Sequence, residues 1–204
     1  LIALAIIPGQ AQVGKSVTIP QLQLVPIDSL KLMDTQQSAA ATRLDDSPYN
    51  NDTVRVTGVV LVKPRILTYT LARYNIFIQD TATGQLWAGL NVLTNDTSEQ
   101  AQSTLITALD SGDVVTITGR VTEYGNQPNS LTEVFVYNIG FFENVVPIAF
   151  VSSGSRPSPV EVTIDSFSVA TTPMISRGEK YEGMYVVLRN VTVNSVDLSS
   201  GRFT

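Results

Sequence analysis

One phrase of seven residues occurs twice and limits what this chain can become. Val54-Arg55-Val56-Thr57-Gly58-Val59-Val60 returns as Val115-Thr116-Ile117-Thr118-Gly119-Arg120-Val121. Each copy alternates β-branched with polar residues, the period of a strand with one face buried. Each also carries a glycine inside the strand. Glycine there gives up side-chain packing and marks a bulge or a tight bend. A sheet that curls until one strand pairs on both sides needs such bends. The two phrases therefore predict two bent strands of a small closed barrel.

The remaining elements of that barrel follow from local pattern. Tyr74 to Asp80 alternates and runs into Thr81-Ala82-Thr83-Gly84, a turn cluster. Gln85 to Leu93 predicts the next strand, with Trp87 and Leu90 apolar. The period then changes. Thr97-Ser98-Glu99-Gln100 has the form of a capping box, and Ala101, Leu105, Ile106, Ala108 and Leu109 follow at helical spacing. Ser111-Gly112-Asp113 ends the helix. Strands are expected from Asp113 to Tyr124 and from Thr132 to Asn138, with Gly125 to Asn129 as the turn between them. Three strands, a helix and two strands is the connectivity of the OB-fold, a five-stranded barrel.

Phe77-Ile78-Gln79-Asp80, Trp87-Ala88-Gly89-Leu90, the run from Gly112 to Tyr124, and Thr132-Glu133 resemble an OB-fold family of secreted bacterial proteins. In that family such domains accompany extracellular nucleases and occur in tandem in large surface proteins. The resemblance implies export and an extracellular or cell-surface address, with type IX secretion as the route. It implies no activity, because the nuclease chemistry of those relatives lies in another domain.

Composition narrows the chemistry. The 204 residues include no histidine and no cysteine. Disulfides, thiolate chemistry, imidazole general-base catalysis and zinc sites of the usual kind are thereby excluded. Charged residues make up 15%, and the net charge is −5. Residues 52–140 hold five basic side chains against eight acidic ones. Phosphate neutralisation drives nucleic-acid affinity, so this balance disfavours a nucleic-acid partner.

Leu1 to Ile7 is an unbroken apolar run, far too short to span a bilayer. With Gly9 and Ala11 after it, it reads as the end of a signal peptide cut between Ala11 and Gln12. The competing reading is a retained strand. Leu1, Ile2, Leu4, Ile6 and Ile7 would then complete a sheet in their own subunit or a neighbour. Gly9 to Ser16 also matches the phosphate-loop pattern GxxxxGKS. That loop must open a helix. Val17 to Pro26 alternates and holds two prolines, which predicts extended chain instead.

The expected organisation is an N-terminal segment and linker over 1–50, the barrel over 51–145, a linker over 146–159, and a partial second OB-like β domain over 160–204. Val160 to Val169 alternates as a strand. The run from Lys180 to Val193 resembles the opening strand of another barrel, with Asn190 in the place of the first barrel's glycine. A partial barrel leaves bare strand edges that another segment or chain must cover. Asn51, Asn95 and Asn190 each begin a glycosylation sequon and read more simply as solvated turn residues.

OB-folds bind on the face of the second and third strands and in the adjoining loops. Lys63, Arg65, Tyr69, Arg73, Tyr74 and Trp87 gather there in sequence, basic residues interleaved with aromatics as in single-strand nucleic-acid binders. Asp80, Glu123 and Glu133 form a loose carboxylate set whose spacing fixes no mutual distance. No catalytic residue, metal ligand or cofactor site emerges. The expectation is a non-enzymatic secreted structural protein that associates with neighbouring copies. The alternative is a single-stranded nucleic-acid-binding accessory of a nuclease.

Overall fold

The computed structural model describes residues 13–30, 45–64, 66, 74–81, 86–94, 105–125, 130–136, 145–167, 178–192, 195–197 and 202–203. The chain begins with a short strand β1 (Lys15–Ser16) and helix α1 (Ile19–Gln23). Five strands then make the barrel: β2 (Thr53–Val60), β3 (Tyr74–Gln79), β4 (Gly89–Thr94), β5 (Asp113–Tyr124) and β6 (Leu131–Phe135). Each of β2–β3, β3–β4, β5–β6 and β2–β5 is antiparallel, and β4–β6 is parallel. The ring β2–β3–β4–β6–β5–β2 is closed, which is OB-fold topology. Strand β7 (Ile148–Ser153) adds to the free edge of β5 beyond β6.

The barrel interior is filled by the alternate residues that the repeated phrase predicts. Val54, Val56 and Val60 of β2 meet Val115, Ile117 and Val121 of β5, with Ile76, Ile78, Leu90, Val92 and Val134. Ile106, on a 3-10 turn before β5, joins the same core. The helix expected from Thr97 falls largely outside the described residues, and this turn is the part that is described. Each fully buried Val, Leu or Ile contributes roughly 1.5–3 kcal/mol of transfer free energy.

Two expectations need correction. Gly58 and Gly119 mark neither bulge nor interruption, because the β2–β5 register runs unbroken from Thr53↔Arg120 to Val59↔Val114. They permit close approach instead. A Cβ at Gly119 would strike the Phe135 carbonyl oxygen and lie 2.7 Å from Val134 Cγ1. The second correction concerns 17–26, expected to be extended. Pro20 stands in the first turn of α1, where its missing N–H costs nothing. Thr18 Oγ1 accepts the Gln21 amide at 3.2 Å, and Gln21 Oε1 accepts the Thr18 amide at 2.9 Å. This reciprocal cap holds a five-residue helix whose Ile19 and Leu22 plug one end of the barrel. The phosphate-loop reading still fails. Lys15 and Ser16 lie in a strand paired with Val54 and Arg55, not in the first turn of a helix.

Beyond β7 the chain repeats its own opening. β8 (Val160–Val162) runs parallel to β9 (Val186–Leu188), with Val160 opposite Val186. In the first unit β1 runs parallel to β2, with Lys15 opposite Val54. Thr163-Ile164 follows β8 as Thr18-Ile19 follows β1, and the Thr163 amide donates to Ser166 Oγ at 3.2 Å. Gly183 (φ 64°) precedes β9 where Asn51 (φ 74°) precedes β2. Asn190, in the place of Gly58, has φ 57°. The expected long strands over 160–169 and 180–193 are shorter than their patterns. A 3-10 turn replaces the end of the first (Ile164–Ser166) and the start of the second (Glu179–Tyr181). A last hairpin pairs β10 (Val196–Asp197) with β11 (Arg202–Phe203).

Candidate functional site

In an OB-fold the ligand face is the outer side of β3 and β4 with the loops beside them. Since Ile76, Ile78, Leu90 and Val92 point into the barrel, Phe77, Gln79, Gly89, Asn91 and Leu93 belong to that outer face. Gln79, Asn91 and Leu93 are nevertheless buried. Part of the cover is the chain's own segment 178–185. The Trp87 amide donates to the Lys180 carbonyl at 2.8 Å. The Tyr185 amide donates to Gln79 Oε1 at 2.9 Å. Backbone meets backbone at Gly89, where a Cβ would overlap Gly183 and Met184. Only glycine allows that approach. From the other side, Gln23 of α1 donates to the Gly89 carbonyl at 2.7 Å.

A carboxylate cluster sits at the edge of this contact. Glu182 accepts the Thr132 amide at 2.9 Å. Glu123, near the end of β5, accepts from the Ser47 amide at 2.8 Å and from Thr132 Oγ1 at 3.1 Å. Asp45 accepts both the amide and the hydroxyl of Ser130. Burial pushes the Glu123 carboxyl up to about 7, against the opposing hydrogen bonds from Ser47 and Thr132. Burial, then the neighbouring Glu182, raises Glu179 to about 8. Burial and the Glu123 charge raise Glu182 to about 8 against its bond from Thr132. Among the described residues no lysine or arginine contributes to any of the three shifts. Among the described residues no group of acidic side chains has the geometry to hold a metal ion.

The side chains expected on the ligand face separate. Lys63 is exposed after β2 and pairs with Asp110 at 2.8 Å, which holds the Asp110 carboxyl below the usual range together with the Ser111 amide. Tyr74 is half-buried against the barrel core. Trp87, at φ 61°, packs on Val25 and Leu30. Arg65, Tyr69 and Arg73 lie outside the described residues, as do Leu1, Ile2, Leu4, Ile6 and Ile7. Of the three carboxylates singled out in sequence, Glu123 joins Glu179, Glu182, Asp45 and Asp46. Glu133 accepts from Asn91 on the outer face of β6, and the Asp80 amide closes on the Ala88 carbonyl at the end of β3. Glu179 and Glu182 carried no local signal, since only the docking of a distant segment brings them here.

A second group of side chains lies along β1, β2 and β5. Arg55 of β2 and Arg120 of β5 face outward, and Arg120 donates to Asn51 Oδ1 at 2.6 Å. Lys15 stands 5.1 Å from the Tyr49 ring centroid and 3.7 Å from Asp52. Arg55 also lines an open cleft of about 580 Å³ shared with Ser16, Thr57, Gln79 and Thr116. No helix among the described residues is long and apolar enough to cross a membrane.

No family model matches the chain, and no curated protein matches it. Solved structures similar to it include the mitochondrial single-stranded DNA-binding protein Rim1 of S. cerevisiae, at 12% identity and a TM-score of 0.36, over 52% of this chain and 99% of that one. A Plasmodium falciparum SSB in complex with ssDNA is 18% identical with a TM-score of 0.32, over 49% of this chain and 94% of that one. The S. pombe Stn1–Ten1 complex is 17% identical with a TM-score of 0.29, over 41% of this chain and 52% of that chain.

Proposed function

We propose that this chain is a non-enzymatic structural module, an OB barrel followed by the opening of a second, that associates with neighbouring copies by packing and strand pairing. One observation carries the reading. In the first unit the plug residues Ile19 and Leu22 are fully buried, whereas Ile164 and Phe167, their counterparts in the second, are 65% and 40% exposed. Leu188 and Val191 of the same unit are also exposed. In the barrel the equivalent apolar surface is covered by β strands, so β strands of another copy are the complement this unit fits. An extracellular address is part of the proposal, supported by the low charge and the Thr- and Ser-rich sequence. Sedimentation velocity between about 1 and about 300 μM tests it. A sedimentation coefficient that rises with concentration, and stops rising in the Ile164→Asp/Phe167→Asp variant, is expected. A monomer throughout overturns the reading.

A second reading has its own observation. Arg55 and Arg120 stand on one outer face of β2 and β5, in a fold that takes oligonucleotides. Anisotropy of a labelled oligo-thymidine at about 20 mM and about 200 mM salt separates the two. Binding that weakens at least tenfold with salt, and is lost in Arg55→Ala/Arg120→Ala, establishes the nucleic-acid reading. A flat response at low salt, the result expected here from the net negative barrel, removes it.

A further inference from the structure

We propose that the cleft between β1 and the end of β3 binds the free carboxyl terminus of a short extended peptide, with Arg55 holding the carboxylate and the open edge of β2 at Thr57 pairing with the peptide main chain. The proposal does not rest on association between copies. Its basis is a gap in the β ladder. On one edge of β2 and its flanking residues, the Asp52 and Val60 carbonyls accept the Val121 and Gly112 amides. On the opposite edge the Arg55 carbonyl accepts the Val17 amide at 3.1 Å, and the Leu61 amide donates to the Phe77 carbonyl at 2.8 Å. Backbone groups alternate between the two edges along a strand, so Thr57 turns its N–H and C=O to the edge of Arg55 and Leu61. There β1 pairs as far as Arg55, and β3 pairs from Val59. Among the described residues Thr57, exposed between them, has no backbone partner on that edge.

The gap opens into the cleft of about 580 Å³, a volume in the range of small-ligand sites. From Arg55 to Val59 the edge is about 13 Å long at strand rise, which takes about two or three residues of extended chain. The polar side chains around it are mostly donors. Arg55 is half-buried and has no ion-pair or hydrogen-bond partner for its guanidinium among the described residues. Gln79 Oε1 accepts the Tyr185 amide and Gln21 Oε1 accepts the Thr18 amide, so each glutamine keeps its NH2 to donate. The Thr57 and Thr116 hydroxyls share one bond at 2.9 Å, which leaves one hydroxyl proton to donate. Asp80 also lines the cleft and is itself engaged with a partner.

A guanidinium flanked by neutral donors selects an anion with oxygen acceptors, and its planar fork matches a carboxylate. The rest of the lining is apolar. Val17 lies beside Arg55, and Val59 and Val114 are register partners farther along the edge. A peptide terminus meets all of these features. Its carboxylate reaches Arg55, a main-chain amide pairs at Thr57, and its last and third-last side chains fall on one side of the extended chain, toward the valines. A sugar acid or an inorganic anion would use the guanidinium and leave the ladder gap empty. A nucleobase would find no aromatic ring to stack on among the described residues of the cleft.

The probe is acetyl-valyl-alanyl-valine with a free carboxylate, compared with the same peptide as its C-terminal amide. Backbone amide and side-chain NH2 resonances of the full chain are followed by NMR up to about 10 mM peptide. Expected are saturable shifts of the Thr57 amide and the Gln79 NH2, with the amidated peptide at least about tenfold weaker because it lacks the charge-assisted bond. Arg55→Ala is expected to weaken the free acid at least about tenfold, and Arg55→Lys less, since it keeps the charge and loses the fork. Arg120→Ala, outside the cleft lining, is the control, expected within about twofold of the parent. Arg55 points away from the core, and unchanged Val54 and Ile117 resonances verify the fold of each variant. The comparison of acid with amide needs no variant. Equal binding of the two peptides overturns the proposal, as does the absence of saturable shifts. An equal loss in Arg120→Ala would mean diffuse charge attraction and overturns it too. So does binding that leaves the Thr57 amide unmoved, or acetate producing the same shifts at the same concentration.

Discussion

Gly119→Ala is expected to destabilise the barrel by about 3 kcal/mol or more, read as a lower midpoint in urea with an unchanged slope. The added methyl would fall inside the shell of the Phe135 carbonyl oxygen and within 2.7 Å of Val134 Cγ1. The first of these is backbone, so no side-chain rotation relieves the clash. Strands β5 and β6 must separate, and their pairs at Arg120↔Phe135 and Val121↔Val134 close the ring. Gly58→Ala meets softer neighbours, Ile19 Cδ1 at 3.0 Å and the Ile78 side chain at 3.2 Å, and is expected to cost about 1–2 kcal/mol. Gly154→Ala, whose nearest atom is 3.6 Å away, is the control, expected within about 0.5 kcal/mol of the parent. Equal losses at the three positions would mean that close strand approach is not what the glycines provide.

The contrast explains which parts of the fold were legible in the sequence. The alternation of Val54 to Val60 and of Asp113 to Tyr124 is local, and both strands stand where the pattern puts them. The glycines were found by the same pattern, and of the bulge or bend it predicts the unbroken register excludes the bulge. A bulge and a close approach leave the same mark in sequence, and the difference lies in the partner strand. Helix α1 was missed because two prolines outweighed the Thr18–Gln21 cap, although proline is harmless in a first turn. The outer face of β3 and β4 follows from their alternation, but the segment that covers part of it was invisible. Gln79 and Tyr185 are 106 positions apart, and no periodicity joins them. The acidic corner is illegible for the same reason, since Asp45, Glu123 and Glu182 come from three separate stretches.

The repeat of the opening module makes its own prediction, because one substitution can be placed at the same position of both units. Ile19→Ala removes a side chain with no exposed surface from the centre of the plug, and a loss of about 2–5 kcal/mol is expected. At this chain length that is a fall of roughly 2–4 °C in Tm per kcal/mol. Ile164→Ala removes a side chain that is 65% exposed, and the change in the isolated chain is expected within about 0.5 kcal/mol. Both isoleucines follow a threonine that opens a short helical turn, and both turns follow a strand paired in parallel with a second strand. What differs is the cover, which for Ile19 is a closed barrel. If strands from another copy cover the second unit, the Ile164→Ala penalty must grow with protein concentration, because association adds stability only to the parent side chain. Thermal denaturation of both variants across a concentration series measures this directly. A penalty at Ile164 that is small and independent of concentration would leave that surface without a partner among copies of this chain.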